Sequence, residues 1–136
     1  MRTINKIIVH CSATPEGKDY TVKDIDRWHR ERGFTKIGYH YVVYRDGTIH
    51  EGRKETEIGA HASGYNAHSI GVCYIGGLAK DGKTPKDTRT QAQRDALVRL
   101  LRELVLKYPD AEIIGHRDVS QKACPSFDAK KEYKVI

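Results

Sequence analysis

The sequence predicts a single α/β domain, residues 1–136, with a central mixed β-sheet flanked by helices. Three observations carry this. Short β-branched runs alternate with segments of helical period, which favours a sheet covered by helices. An Asp-Gly pair separates two strand-like segments near the middle, and this is a hairpin signal. The chain has 136 residues, which is one domain's worth, since domains run to ~100–150 residues.

The elements follow in order. Residues 7–11 (Ile-Ile-Val-His-Cys) are apolar and β-branched and read as a strand buried on both faces. Residues 12–20, with Pro15 and Gly17, read as loop. Thr21 and Asp24 have the spacing of a capping box, opening a helix that carries Val22, Ile25, Trp28 and His29 on one stripe and stops at Gly33. Residues 41–44 and 49–52 are strands joined through Asp46-Gly47, and 53–68 is irregular. Residues 70–75 form another buried strand, and 76–87 a surface loop. Thr90 and Gln93 repeat the capping-box pattern, and Leu97, Leu100, Leu101, Leu104, Val105 and Tyr108 define the apolar face of a long helix ended by Pro109. A last strand covers 111–116, and 127–133 reads as a short helix.

Composition narrows the functional classes. No apolar run approaches the ~20 residues of a membrane-spanning helix. The net charge of +6, from 24 basic and 18 acidic residues, suits a polyanionic partner such as nucleic acid, an anionic membrane or an acidic cell-wall polymer, and equally suits a plain solvated surface. A nucleic-acid binder calls for clustered Lys and Arg with stacking aromatics, and that clustering is absent. Three widely spaced cysteines, Cys11, Cys73 and Cys124, do not make a disulfide framework. The N-terminal residues lack a signal-peptide pattern, so synthesis and folding in the cytoplasm are expected.

Of the seven histidines, two stand out by position. His10 and His116 each close a short apolar strand, and strand ends are where open sheets place ligands. Either one alone also fits a core histidine bonded to backbone. Together with Cys124, eight residues beyond His116, they make the two-imidazole, one-thiolate set of a catalytic zinc site with one position open. Lys122 close to Cys124 favours its thiolate, which leaves that residue a ligand or a nucleophile. Cys11 and Cys73 lie within strands and read as inert buried thiols; alternation turns Cys11 to the sheet face opposite His10. The motif His-Glu-x-x-His is absent.

Six blocks complete the reading: Val9-His10-Cys11-Ser12-Ala13-Thr14, Gly38-Tyr39-His40-Tyr41, Arg45-Asp46-Gly47-Thr48, His61-Ala62 with Gly64-Tyr65-Asn66, Ser69-Ile70-Gly71-Val72-Cys73, and Gly115-His116-Arg117-Asp118 leading to Lys122-Ala123-Cys124-Pro125-Ser126-Phe127-Asp128. In this order and spacing the chain resembles the zinc N-acetylmuramoyl-L-alanine amidases of the phage T7 lysozyme type, relatives of the peptidoglycan recognition proteins. The resemblance implies a zinc hydrolase that cleaves the amide between N-acetylmuramic acid and L-alanine. It implies one Zn²⁺ per chain on His10, His116 and Cys124, catalytic roles for Tyr39 and Lys122, and a substrate-binding place for His61 beside the groove. Peptidoglycan is the expected partner, with no nucleic acid and no membrane insertion. A monomer is expected, reaching the wall with the help of a holin or a secretion machine. The competing reading is a peptidoglycan-binding module without catalysis. Such relatives typically lack the cysteine ligand, whereas Cys124 is present here.

Overall fold

The computed structural model describes residues 2–136. Its centre is a five-stranded sheet in the order β4-β3-β5-β1-β7. The strands are β1 (Lys6–Cys11), β3 (Tyr41–Val43), β4 (Ile49–Glu51), β5 (Ser69–Tyr74) and β7 (Glu112–Gly115). β1 pairs parallel with both β5 and β7, β3 pairs parallel with β5, and β4 folds back antiparallel on β3. The sheet is therefore mixed, as expected. Parallel strands need crossovers, and helices α1 (Val22–Glu31) and α2 (Gln91–Lys107) lie in two of these.

Both long helices start where the caps predict. Thr21 and Asp24 bond reciprocally, as do Thr90 and Gln93, so each box satisfies two backbone N–H groups that the first turn leaves free. In the hairpin, the Gly47 N–H donates to Tyr44 O, and Gly47 supplies the positive φ of 86° that the turn requires.

The two sheet faces have different jobs. Ile7, Val9, Ile70, Val72, Tyr74 and Val43 pack with Leu97, Leu100, Leu101 and Leu104 of α2 into the main core. On the opposite face, Val42, Cys73 and Ile75 pack against Ile25 of α1, and His10 rises from β1 among them. Alternation along β1 separates the two sets.

The structure departs from the expected elements in three places. The segments read as loop at 12–20 and 76–87 contain a second, two-stranded sheet, β2 (Thr14–Pro15) and β6 (Gly77–Leu78), paired in parallel. Pro15 and the adjacent glycines hide it from pattern reading, because strands of two residues have no period. The irregular 53–68 region ends in a 3-10 turn, Asn66–His68, and another follows β7 at His116–Asp118. The C-terminal helix, α3 (Ala129–Glu132), is shorter than its expected span. It is fastened by Arg89, whose side chain is fully buried, bonded to Asp87, Glu132 and the Tyr133 hydroxyl, and stacked 3.4 Å over the Phe127 ring.

Candidate metal centre and active-site cleft

The register of the parallel strands creates the centre. Val9 faces Gly115 across the β1–β7 pair, so the next residues, His10 and His116, emerge together at the C-terminal edge. Cys124 arrives from the segment after β7. That segment is held by the Arg117 N–H donating to Cys124 O at 2.7 Å, the Tyr74 hydroxyl donating to Pro125 O at 2.7 Å, and the Ser126 hydroxyl donating to Gly77 O at 2.8 Å. The donor atoms of His10, His116 and Cys124 all lie within 4.8 Å of one another, with His10 Nδ1 3.9 Å from Cys124 Sγ. Tetrahedral zinc bonds of ~2.0–2.3 Å would set donors roughly 3.4–3.7 Å apart, so closing on an ion needs only a small contraction. Two imidazoles and a thiolate are also the soft, three-donor set that suits this ion and leaves one position free. Among the described residues this is the one such cluster of three or more metal-binding side chains.

Electrostatics prepare the imidazoles as ligands. Burial, then the neighbouring His61, His116 and Lys122, holds His10 well below the usual imidazole range. Burial and then Lys122 lower His116 as well. Both rings are therefore neutral at pH 7, the form that can offer a lone pair. Cys124 goes the other way. Its hydrogen bond with the Cys11 thiol, and then burial, push it well up. The Cys11 contact and burial thus work against the thiolate that Lys122 was expected to favour. A cation bound at the sulfur would reverse this.

Cys11 and Cys73 are buried and free. Cys11 packs into the core on the α2 side, but it also lines the cleft and meets Cys124, through its thiol and through its backbone N–H, which donates to Cys124 Sγ at 3.2 Å.

A cleft of about 590 Å³ opens over the cluster. Trp28, His29, Arg32 and Phe34 line it, together with Lys122, His116 and Cys124. Tyr39 also lines it, its ring 5.0 Å from that of His10. Burial raises the Tyr39 phenol well above its ordinary value, so it keeps its proton and acts as a neutral donor. His61 sits at the cleft floor, its Nδ1 2.8 Å from His10 Nε2 and its Nε2 3.3 Å from Ser69 Oγ. Thus all six residues singled out from the sequence gather in one place.

Three further contributors were missed. His29 reads from sequence as a residue of the α1 stripe; it is buried beside Tyr39, its ring 5.2 Å away, and accepts a bond from the Gly38 N–H at Nδ1. Asn66 Oδ1 accepts from the N–H groups of His61 and Ala62 and fixes that loop. Gly71 lies beneath the His61 ring, and a Cβ there would meet it at 2.7 Å. The last had a signal, since a glycine inside a β-branched strand marks a close approach. Asn66 stood in the block after His61 that carries the resemblance but had no assigned role, and His29 had no signal, because a helical histidine is common in purely structural roles.

Comparison with known proteins agrees with this geometry. The family described as N-acetylmuramoyl-L-alanine amidase matches residues 1–127. The endolysin of Klebsiella phage KP32 is 46% identical over 127 residues, 93% of this chain and 83% of that protein. The solved amidase LysC from Clostridium intestinale superimposes with a TM-score of 0.82 at 33% identity, over 96% of this chain and 82% of that one. Drosophila PGRP-LB superimposes at 0.81 with 30% identity, over 99% and 82%. With family, phage lysin and solved amidase matching over nearly the whole length, this chain belongs to the N-acetylmuramoyl-L-alanine amidase family and is a peptidoglycan-cleaving lytic enzyme of the phage type.

Proposed function

We propose that the chain holds one Zn²⁺ on His10, His116 and Cys124 and uses Tyr39 and Lys122 to hydrolyse the amide between the lactyl group of N-acetylmuramic acid and L-alanine. The single observation that supports this best is the convergence of three suitable donors within 4.8 Å at a cleft lined by Tyr39 and Lys122. When bound, zinc supplies a Lewis acid that polarises a carbonyl and makes water a competent nucleophile near neutral pH.

The protein's own groups do the rest. The stem peptide lies along the cleft with its first amide over the three donors. The Lys122 ammonium faces the carbonyl oxygen and stabilises the negative charge that grows there as water adds to the carbon. The Tyr39 hydroxyl accepts a proton from the attacking water and donates its own to the departing nitrogen. The C–N bond breaks, leaving the lactyl carboxyl and the amine of L-alanine, and the carboxyl's proton passes to solvent or to that amine. The net charge of +6 favours approach to the anionic wall. The chain works as a monomer, made in the cytoplasm and given access to the wall by a holin or a secretion machine.

Metal analysis of the purified protein tests the reading. One zinc per chain is expected, lost in Cys124→Ala, and sacculi digested by the parent should gain new N-terminal L-alanine. A chain that binds no zinc, or a Cys124→Ala variant that binds it as the parent does, would refute the ligand set.

A further inference from the structure

His61 borders the cleft, yet its ring is not free to meet a substrate. Nδ1 lies 2.8 Å from His10 Nε2, and Nε2 lies 3.3 Å from the hydroxyl of Ser69, which is fully buried. Both ring nitrogens thus have protein partners. The ring's position is set on three sides. Asn66 Oδ1 takes the backbone N–H of His61 at 3.0 Å and that of Ala62 at 2.9 Å. Gly71 leaves room beneath the ring that any Cβ would fill. The His10 ring meets it edge-on, with centroids 4.8 Å apart.

We infer that His61 is a positioning residue that orients the ligand His10 through a His10–His61–Ser69 hydrogen-bond chain, rather than a residue that contacts substrate. The proton assignment follows from the ligand geometry. His10 Nδ1 is the nitrogen turned to Cys124 Sγ, 3.9 Å away, so Nδ1 must be bare to bind a metal. Nε2 then carries the proton and donates it to His61 Nδ1. That leaves His61 with its own proton on Nε2, which donates to Ser69 Oγ. Both nitrogens of His61 and Nε2 of His10 then have a partner in the chain. A ligating histidine commonly has its second nitrogen fixed by a carboxylate or a carbonyl, which selects the tautomer and the ring angle; a neutral second imidazole fills that place here. Its consequence is a centre whose outer partner adds no charge.

The inference rests on the proposed ligand set, and the experiment separates the two. Zinc affinity is measured by competition with a chromogenic chelator for the parent, Cys124→Ala, His61→Ala, His61→Asn and Ser69→Ala. Proton positions on the imidazole of His10 are read by nitrogen NMR in protein stripped of metal. Loss of an outer partner typically costs ~10–100-fold in metal affinity. His61→Ala should fall in that range, with its His10 no longer held in the Nε2–H form. His61→Asn keeps an acceptor close to the place of Nδ1 and should recover most of the affinity. Ser69→Ala should lie between. A His61→Ala variant with parental zinc affinity and a raised KM for peptidoglycan would overturn the inference and return His61 to the substrate groove, while Cys124→Ala still lost zinc. Equal losses in His61→Ala and His61→Asn would also overturn it, since they would reflect packing alone. Failure of the parent to bind zinc would remove the ligand set and the inference together.

Discussion

At the residue scale, the site divides into groups that hold and groups that react. Lys122 and Tyr39 line the cleft without belonging to the donor cluster, so Lys122→Ala and Tyr39→Phe should keep their zinc and their fold. Their turnover should drop, by about 10²–10³ for Lys122, the usual cost of removing one donor to a developing oxyanion. Product release from sacculi together with metal content checks this, and a Lys122→Ala variant working at the parental rate would remove Lys122 from the chemistry. A second expectation concerns acid. Burial and then Arg32 push His29 down to about 4, whereas the unfolded chain titrates near ~6.5. The unfolded state therefore binds the extra proton first, and stability contributed by neutral His29 is intact above pH ~6.5 and lost as pH falls toward 4. Denaturant midpoints should decline across that window, and the decline should be shallower in His29→Gln. Equal slopes for the two proteins would show that His29 does not report on folding.

At the element scale, position comes from caps and from close approaches. Thr90 opens α2 with a reciprocal box and also donates its hydroxyl to Arg45 O at 2.7 Å, tying the helix to the hairpin. Thr90→Ala should cost about 1 kcal/mol, the common value for a lost cap, measured by chemical denaturation, with zinc binding unchanged. An unaltered midpoint would mean that the box is redundant with packing. Gly71 tests the other device. In Gly71→Ala the new methyl would lie 2.7 Å from the His61 ring, so β5 or the ring must shift, at about 1–3 kcal/mol for overpacking a filled site. Zinc affinity should fall along with stability, because the ring that moves is the one against His10. A stable Gly71→Ala protein with parental affinity would show that the ring is freer than its contacts imply.

At the scale of the whole molecule, the fold gathers donors that are far apart in the chain. Among the described residues no helix is long and apolar enough to cross a membrane. On the proposed route to the wall through a holin or a secretion machine, the enzyme produced alone in a Gram-negative host should accumulate without lysis, and turbidity should fall only once the inner membrane is permeabilised. Lysis starting before permeabilisation would overturn the expectation of cytoplasmic retention.

Much of this protein was legible in its sequence, for reasons that are local. The two capping boxes, the Asp-Gly turn and the leucine stripe of α2 are decided by residues three or four apart, so the helices and hairpin appeared at the expected places. The candidate donors were legible because two strand-end histidines and Cys124 together make a zinc-ligand set that neither histidine makes alone, and because the blocks around His10, Tyr39, His116 and Cys124 match a family. Tertiary structure decided the rest. Only the parallel register of β1 with β7 sets His10 beside His116, and only the folded-back segment after β7 brings in Cys124, 114 positions from His10 in the chain. The β2–β6 pair joins residues too few to carry a period, and the burial that keeps Tyr39 protonated exists only when the chain is closed. The role of His61 was hidden for the same reason. The family resemblance implied a groove residue, while the partners at both its nitrogens, His10 and Ser69, come from different strands that meet only in the sheet.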